Sequence, residues 1–173
     1  YYLIITNVPY LGSNKMNDAL YSYVERQFNT SKSDLSTVFI EKSIKQLIKA
    51  GSVAIVCPQN WMQIRNYERF RELLITNISF NFLCSLGKKA FRTLMYDFNV
   101  CLIIYSKIKS KGTLTATLDL GLSNDHDEKE LLLKTNNISI VNQGNFLKNP
   151  SKRILLVESN NLDLIEKYYH VAK

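Results

Sequence analysis

The sequence predicts an α/β fold, a sheet with flanking helices and an antiparallel hairpin at its edge. Three observations carry this. Apolar runs of strand length alternate with segments of helical periodicity. The run Val53-Ala54-Ile55-Val56-Cys57 is continuous, as suits a strand covered on both faces. A composition of 46% hydrophobic and 21% charged residues is that of a globular chain, and 173 residues are enough for one domain with a core.

Taken in order, residues 3–6 form a short apolar strand that stops at Asn7, and residues 12–17 are turn-like. A helix runs from residue 17 or 18 to 28, with Leu20, Tyr23, Val24 and Phe28 near helical spacing. Ser33 or Asp34 can cap a second helix, whose face is Leu35, Val38, Phe39, Ile44, Leu47 and Ile48 and whose end is Gly51. A third helix over 67–76 turns Phe70, Leu73 and Leu74 inward and Arg65, Glu68, Arg69, Arg71 and Glu72 outward. Residues 78–86 and 99–105 are strands paired as the edge hairpin, and the earlier strands are joined by right-handed crossovers. Further strands are expected at 114–120 and 138–141, then an apolar run at 154–157 and a helix from Leu162.

The net charge of +7 favours a polyanionic partner, nucleic acid above all. Between Gly87 and Lys111 the basic residues Lys88, Lys89, Arg92, Lys107, Lys109 and Lys111 face one acid, Asp97. They read either as a solvated rim or as phosphate contacts. Cys57, Cys84 and Cys101 sit in apolar runs and read as buried reduced thiols of a cytoplasmic protein. With two histidines and no cysteine pair at ligand spacing, no metal site is expected. No apolar run approaches the roughly 18–20 residues of a membrane helix, so a membrane is not an expected partner. The chain opens inside an apolar strand and without Met, as a fragment of a longer protein would.

Asn7-Val8-Pro9-Tyr10 falls at the carboxyl end of the first strand, where open α/β sheets place their ligands. Asn and Pro also mark ordinary turns, so four residues alone do not decide. The residues that follow add to them: Tyr10-Leu11-Gly12-Ser13, Ser31-Lys32-Ser33-Asp34-Leu35, Phe39-Ile40-Glu41-Lys42-Ser43, Pro58-Gln59-Asn60-Trp61-Met62 and Leu86-Gly87-Lys88-Lys89-Ala90-Phe91. With these, the chain resembles the adenine-specific DNA methyltransferases of BREX-type phage-defence systems and the methylase portion of type IIG restriction–modification enzymes. The resemblance covers residues 2–106 well and 143–156 more weakly.

The resemblance implies the C-terminal, catalytic half of a Rossmann-like methyltransferase sheet in residues 1–112. Residues 113–173 would be an extension toward the target-recognition region. It implies methyl transfer from S-adenosylmethionine to adenine N6 in double-stranded DNA, with other restriction or phage-defence subunits as further partners. Asn7, Val8, Pro9 and Tyr10 would form the catalytic motif, with Asn7 and the Val8 carbonyl accepting hydrogen bonds from the adenine amino group. Tyr10 and Phe91 would stack on the extruded base, and Lys88, Lys89 and Arg92 would meet phosphates. Trp61 can line the pocket or pack in the core; Asp34 and Glu41 are explained by capping and surface roles.

Val8 stands where the family has its first Pro. Its carbonyl is kept, but the restriction a following Pro places on Asn7 is lost. No Gly-x-Gly stretch follows a strand, so the cofactor-binding residues are expected upstream. These two departures leave open a degenerate, non-catalytic DNA-binding or assembly module. Similar motifs also occur in methyltransferases acting on protein glutamine or RNA bases.

Overall fold

Six strands form one sheet in the computed structural model, which describes residues 1–91, 98–109, 112–121, 123, 125–135 and 138–157. They are β1 (Leu3–Asn7), β2 (Ser52–Pro58), β3 (Ser79–Gly87), β4 (Val100–Ser106), β5 (Leu114–Asp119) and β6 (Ser139–Asn142). Across the sheet the order is β1-β2-β4-β3-β5-β6. β1 with β2 and β3 with β5 run parallel; β2 with β4, β4 with β3 and β5 with β6 run antiparallel. Four strands therefore point the same way, and their carboxyl ends, Asn7, Pro58, Gly87 and Asp119, lie along one end of the sheet. β4 starts there, with Val100 opposite Pro58.

The hairpin of β3 and β4 forms, but not at the edge. β4 inserts between β2 and β3, and the far side of β3 takes β5. The burial of β4 agrees with an interior place: Val100, Cys101, Ile103, Tyr105 and Ser106 are all buried. β2 alternates between fully and partly buried positions, so only its Val53, Ile55 and Cys57 face is closed.

Helix α1 (Asp18–Gln27) is capped by Asn17, whose side chain accepts from the Leu20 N–H; it buries Val24 and leaves Tyr23 exposed. Asp34 caps α2 (Leu35–Gln46) by accepting from the Ser36 N–H, a contact of the kind worth about 1 kcal/mol. α2 buries Val38, Ile40 and Ile44, with Leu47 just beyond, while Ile48 is exposed. The helix ends at Gln46, not at Gly51. Gly51 serves a close approach instead, since a Cβ there would lie 2.9 Å from the Tyr1 carbonyl oxygen. Glu41 is buried rather than on the surface. Its carboxylate accepts from the Thr30 and Ser31 hydroxyls and meets Lys45, so α2 holds the preceding turn.

A short helix α3 (Asn60–Gln63) precedes α4 (Glu68–Asn77), which buries Phe70, Leu74 and Ile75. Arg71, expected outward, is fully buried. Its guanidinium donates to the carbonyls of Trp61, Ile64, Ser151 and Lys152, a set of acceptors that makes its burial tolerable. It clamps α3, α4 and residues 151–152 together. Gln143 acts similarly, accepting from the Phe80 N–H and donating to the Ile75 and Ile78 carbonyls. Ile154 and Leu156 enter the main core without forming a strand. A helix from Leu162 lies outside the described residues, and α5 (His126–Lys134) completes the helices among those described. None of them is long and apolar enough to cross a membrane.

Candidate active site

β1 delivers Asn7 to the carboxyl end of the sheet, paired with Val56 of β2. Val8 is buried in the main core and its N–H reaches the Val56 carbonyl at 3.4 Å. The next ladder donor, which would meet the Val8 carbonyl, falls at Pro58, and proline has no N–H. The Val8 carbonyl thus has no partner on the β2 side. Asn7 and Pro9 are exposed, and the Asn7 side chain makes no hydrogen bond among the described residues.

The turn after the motif is tied to the start of α2. The Leu35 N–H donates to the Leu11 carbonyl at 2.8 Å, the Ser13 N–H to the Ser33 carbonyl at 3.0 Å, and Gly12 forms a bridge with Asp34. Asp34 therefore has a second role beyond capping, at the joint that fixes the motif turn.

Asn7, Val8 and Tyr10 line one open cleft of about 600 Å³ together with Phe91, Phe98 and Val100; Leu11 and Lys15 complete it. Tyr10 is half-buried, packed against the main core. Its ring meets that of Phe98 edge-on, centroids 6.0 Å apart and planes at 85°. The Tyr10 hydroxyl is buried with no hydrogen-bond partner among the described residues. Burial, reinforced by the nearby Cys57 and Cys101, pushes it up to about 12.

Of the residues singled out from sequence, Asn7, Val8, Tyr10 and Phe91 come together here. Phe98, Lys15 and Leu11 were not foreseen. Phe98 sits two residues before β4, just ahead of the strand that the sequence places at 99–105. Trp61 is core: it stacks near Phe80 and meets Phe70 edge-on. Lys88 and Lys89 are exposed on the turn after β3 and do not line the cleft; Arg92 lies outside the described residues. That turn is anchored from below. The buried ammonium of Lys129, on α5, donates to the Leu86 and Lys88 carbonyls, and burial lowers its pKa. Gly87 at its start has φ +65°, and a Cβ there would lie 2.7 Å from the Gly121 Cα.

Cys57, Cys84 and Cys101 are free and buried, as the sequence suggests. Burial pushes Cys84 to about 12 and raises Cys101 well above the ordinary thiol range, which makes both poor nucleophiles.

An aromatic slot with an amide beside it suits a planar base. Among the described residues its lining holds no carboxylate.

Four parallel strands with their carboxyl ends along one end of the sheet, the first running into the Asn-Val-Pro-Tyr turn, make a Rossmann-like α/β arrangement. Residues 1–91, just over half the chain, match the family model described as Eco57I restriction-modification methylase, and the chain belongs to that family. It is 36% identical over 91 residues to the adenine-specific methyltransferase BrxX of Escherichia coli O9:H4 (strain HS) and 33% identical over 91 residues to the adenine-specific methyltransferase PglX of Lacticaseibacillus casei (strain Zhang). Each match covers 53% of this chain and 8% of the relative, so the chain is a small part of the length of these proteins. Among solved structures, a chain of a type I restriction–modification system superposes with a TM-score of 0.67 at 13% identity, covering 98% of this chain and 42% of that one. The type ISP restriction–modification enzyme LlaGI, solved with a DNA substrate mimic, gives 0.62 at 15% identity, covering 92% and 18%. At these identities the likeness is one of fold.

Proposed function

We propose that the protein to which this chain belongs transfers a methyl group from S-adenosylmethionine to adenine N6 in duplex DNA, and that this chain supplies the target-base half of the active site. The observation that carries the reading is the cleft, lined by Val8, Tyr10, Phe91 and Asn7, whose side-chain amide makes no hydrogen bond among the described residues. The relatives that share residues 1–91 are named as adenine-specific methyltransferases, which supports adenine as the base.

The chemistry asked of these residues is orientation. The adenine amino nitrogen is a poor nucleophile because its lone pair is delocalised into the ring. Two acceptors, the Asn7 side-chain oxygen and the Val8 carbonyl, take its two hydrogens and fix the direction of the lone pair without needing a general base. An extruded base loses its neighbours in the stack, and Tyr10 with Phe91 replaces them, a contact worth about 1–3 kcal/mol per base. The cofactor supplies the methyl group, held by residues outside this chain. β5 and β6 extend the sheet, and residues 113–173 lead, on this reading, toward the target-recognition region. Lys88, Lys89 and Arg92 are proposed phosphate contacts, and the protein is proposed to act in the cytoplasm as part of a restriction or phage-defence system.

The test is nucleoside analysis of DNA incubated with the intact protein and S-adenosylmethionine. N6-methyl-2′-deoxyadenosine should accumulate. DNA left unmodified, with the protein folded and bound to it, would favour the non-catalytic module that the Val8 substitution leaves open.

A further inference from the structure

We propose that Lys15 contacts the phosphate of the nucleotide whose base enters the cleft, an inference that rests on the reading of the cleft as a base pocket. Lys15 lines the same cleft as Asn7 and Tyr10 and is the one charged residue in its described lining. Its side chain is exposed and no carboxylate pairs with it among the described residues, whereas Lys32, Lys45, Lys134 and Lys152 each meet a glutamate.

The backbone beneath it is fixed. Lys15 ends the 3-10 turn Ser13–Lys15, with its N–H donated to the Gly12 carbonyl at 2.9 Å. The Ser13 N–H bonds to the Ser33 carbonyl, and Met16 packs against the cluster of Val24, Phe28 and Val38. A side chain with no structural partner thus projects from a position held on both sides. Among the described residues, Lys15 is the one cation in the lining of an aromatic cleft, and such a lining matches a ligand with a planar apolar body joined to an anionic link. A nucleotide swung out of a duplex is such a ligand, and it brings its own phosphates to the mouth of the pocket. A lysine ammonium meets phosphate as a point charge, so the contact positions the nucleotide without reading its sequence.

The experiment measures affinity of the intact protein for a duplex containing one bulged adenine across a range of salt. Each phosphate contact contributes about 0.9 to the slope of log affinity against log salt. Lys15→Ala should flatten the slope by about 0.9, and Lys15→Arg should keep it. Lys49→Ala, before β2 at the other end of the sheet, serves as the comparison and should leave the slope as it was. An unchanged slope in Lys15→Ala, or an equal fall in Lys49→Ala, overturns the assignment. Normal methylation with an unchanged slope removes Lys15 alone. Absence of methylation with a Lys15-dependent slope removes the enzymatic reading and leaves the phosphate contact. A protein that binds no DNA removes both.

Discussion

Tyr10 and Phe98 meet edge to face, ring centroids 6.0 Å apart, with the Tyr10 hydroxyl turned into a buried site where it has no partner among the described residues. The phenol oxygen therefore contributes little to holding the ring, and the ring itself is what the cleft uses. Tyr10→Phe should keep turnover of the intact protein within about twofold, while Tyr10→Ala, which removes the stacking surface, should lower it about tenfold or more. The raised pKa gives an independent signature. The protonated phenol is favoured by the fold, so its contribution to stability is complete below the ordinary value near 10 and is lost as pH rises toward about 12. Alkaline unfolding compared between wild type and Tyr10→Phe should diverge only in that window.

Val8→Pro restores the family's usual residue, yet the structure predicts little gain. A following proline would restrict Asn7 to extended backbone, and β1 already holds Asn7 there through its pairing with Val56. The substitution removes a 3.4 Å hydrogen bond to the Val56 carbonyl and replaces a buried valine side chain by a ring of similar size. Steady-state turnover should change by no more than about twofold; a tenfold rise would show that the strand leaves Asn7 loose.

Arg71→Met should be costly. Four carbonyls lose their buried donor together, and a loss of roughly 3 kcal/mol or more is expected. Limited trypsin digestion offers a local readout, because release of residues 151–152 from α4 should open cleavage at Lys152 and Arg153 before the sheet is attacked. Resistance equal to wild type would mean the clamp is redundant.

Replacing Lys88 and Lys89 together by Ala tests the charge argument on the turn after β3. If both meet phosphates, the salt slope of DNA binding by the intact protein should flatten by about 2 units with no change in sequence preference. An unaltered slope makes them a solvated rim.

Much of this fold was legible where a residue's role is local. The start of α1 was readable at residue 17 or 18, Asp34 was one of the two residues, with Ser33, that could cap α2, and the strand-length apolar runs end where Pro58 and Asn7 stop them. What sequence could not show were relationships set by distant partners. Arg71 reads as outward by periodicity, since nothing local reveals that residues 80 positions away supply two of its acceptors. The place of β4 inside the sheet depends on which strand takes the free side of β3, and Glu41 is buried because the turn at Thr30 and Ser31 folds back onto it. At the site, the motif residues were visible as a motif, while Phe98 and Lys15 join them only through the way the chain returns to the same end of the sheet.

Asn7 is proposed to act on the reacting amino group of adenine. This role is tested most directly by transfer of labelled methyl groups from S-adenosylmethionine to DNA by the intact protein and its Asn7→Ala variant, with DNA affinity measured alongside. Loss of the interaction should appear in the chemical step, so label should accumulate as N6-methyladenine with wild type and fall to background with Asn7→Ala, at nearly unchanged affinity. Near-normal turnover by Asn7→Ala, or label on any other atom of the DNA, would contradict the account.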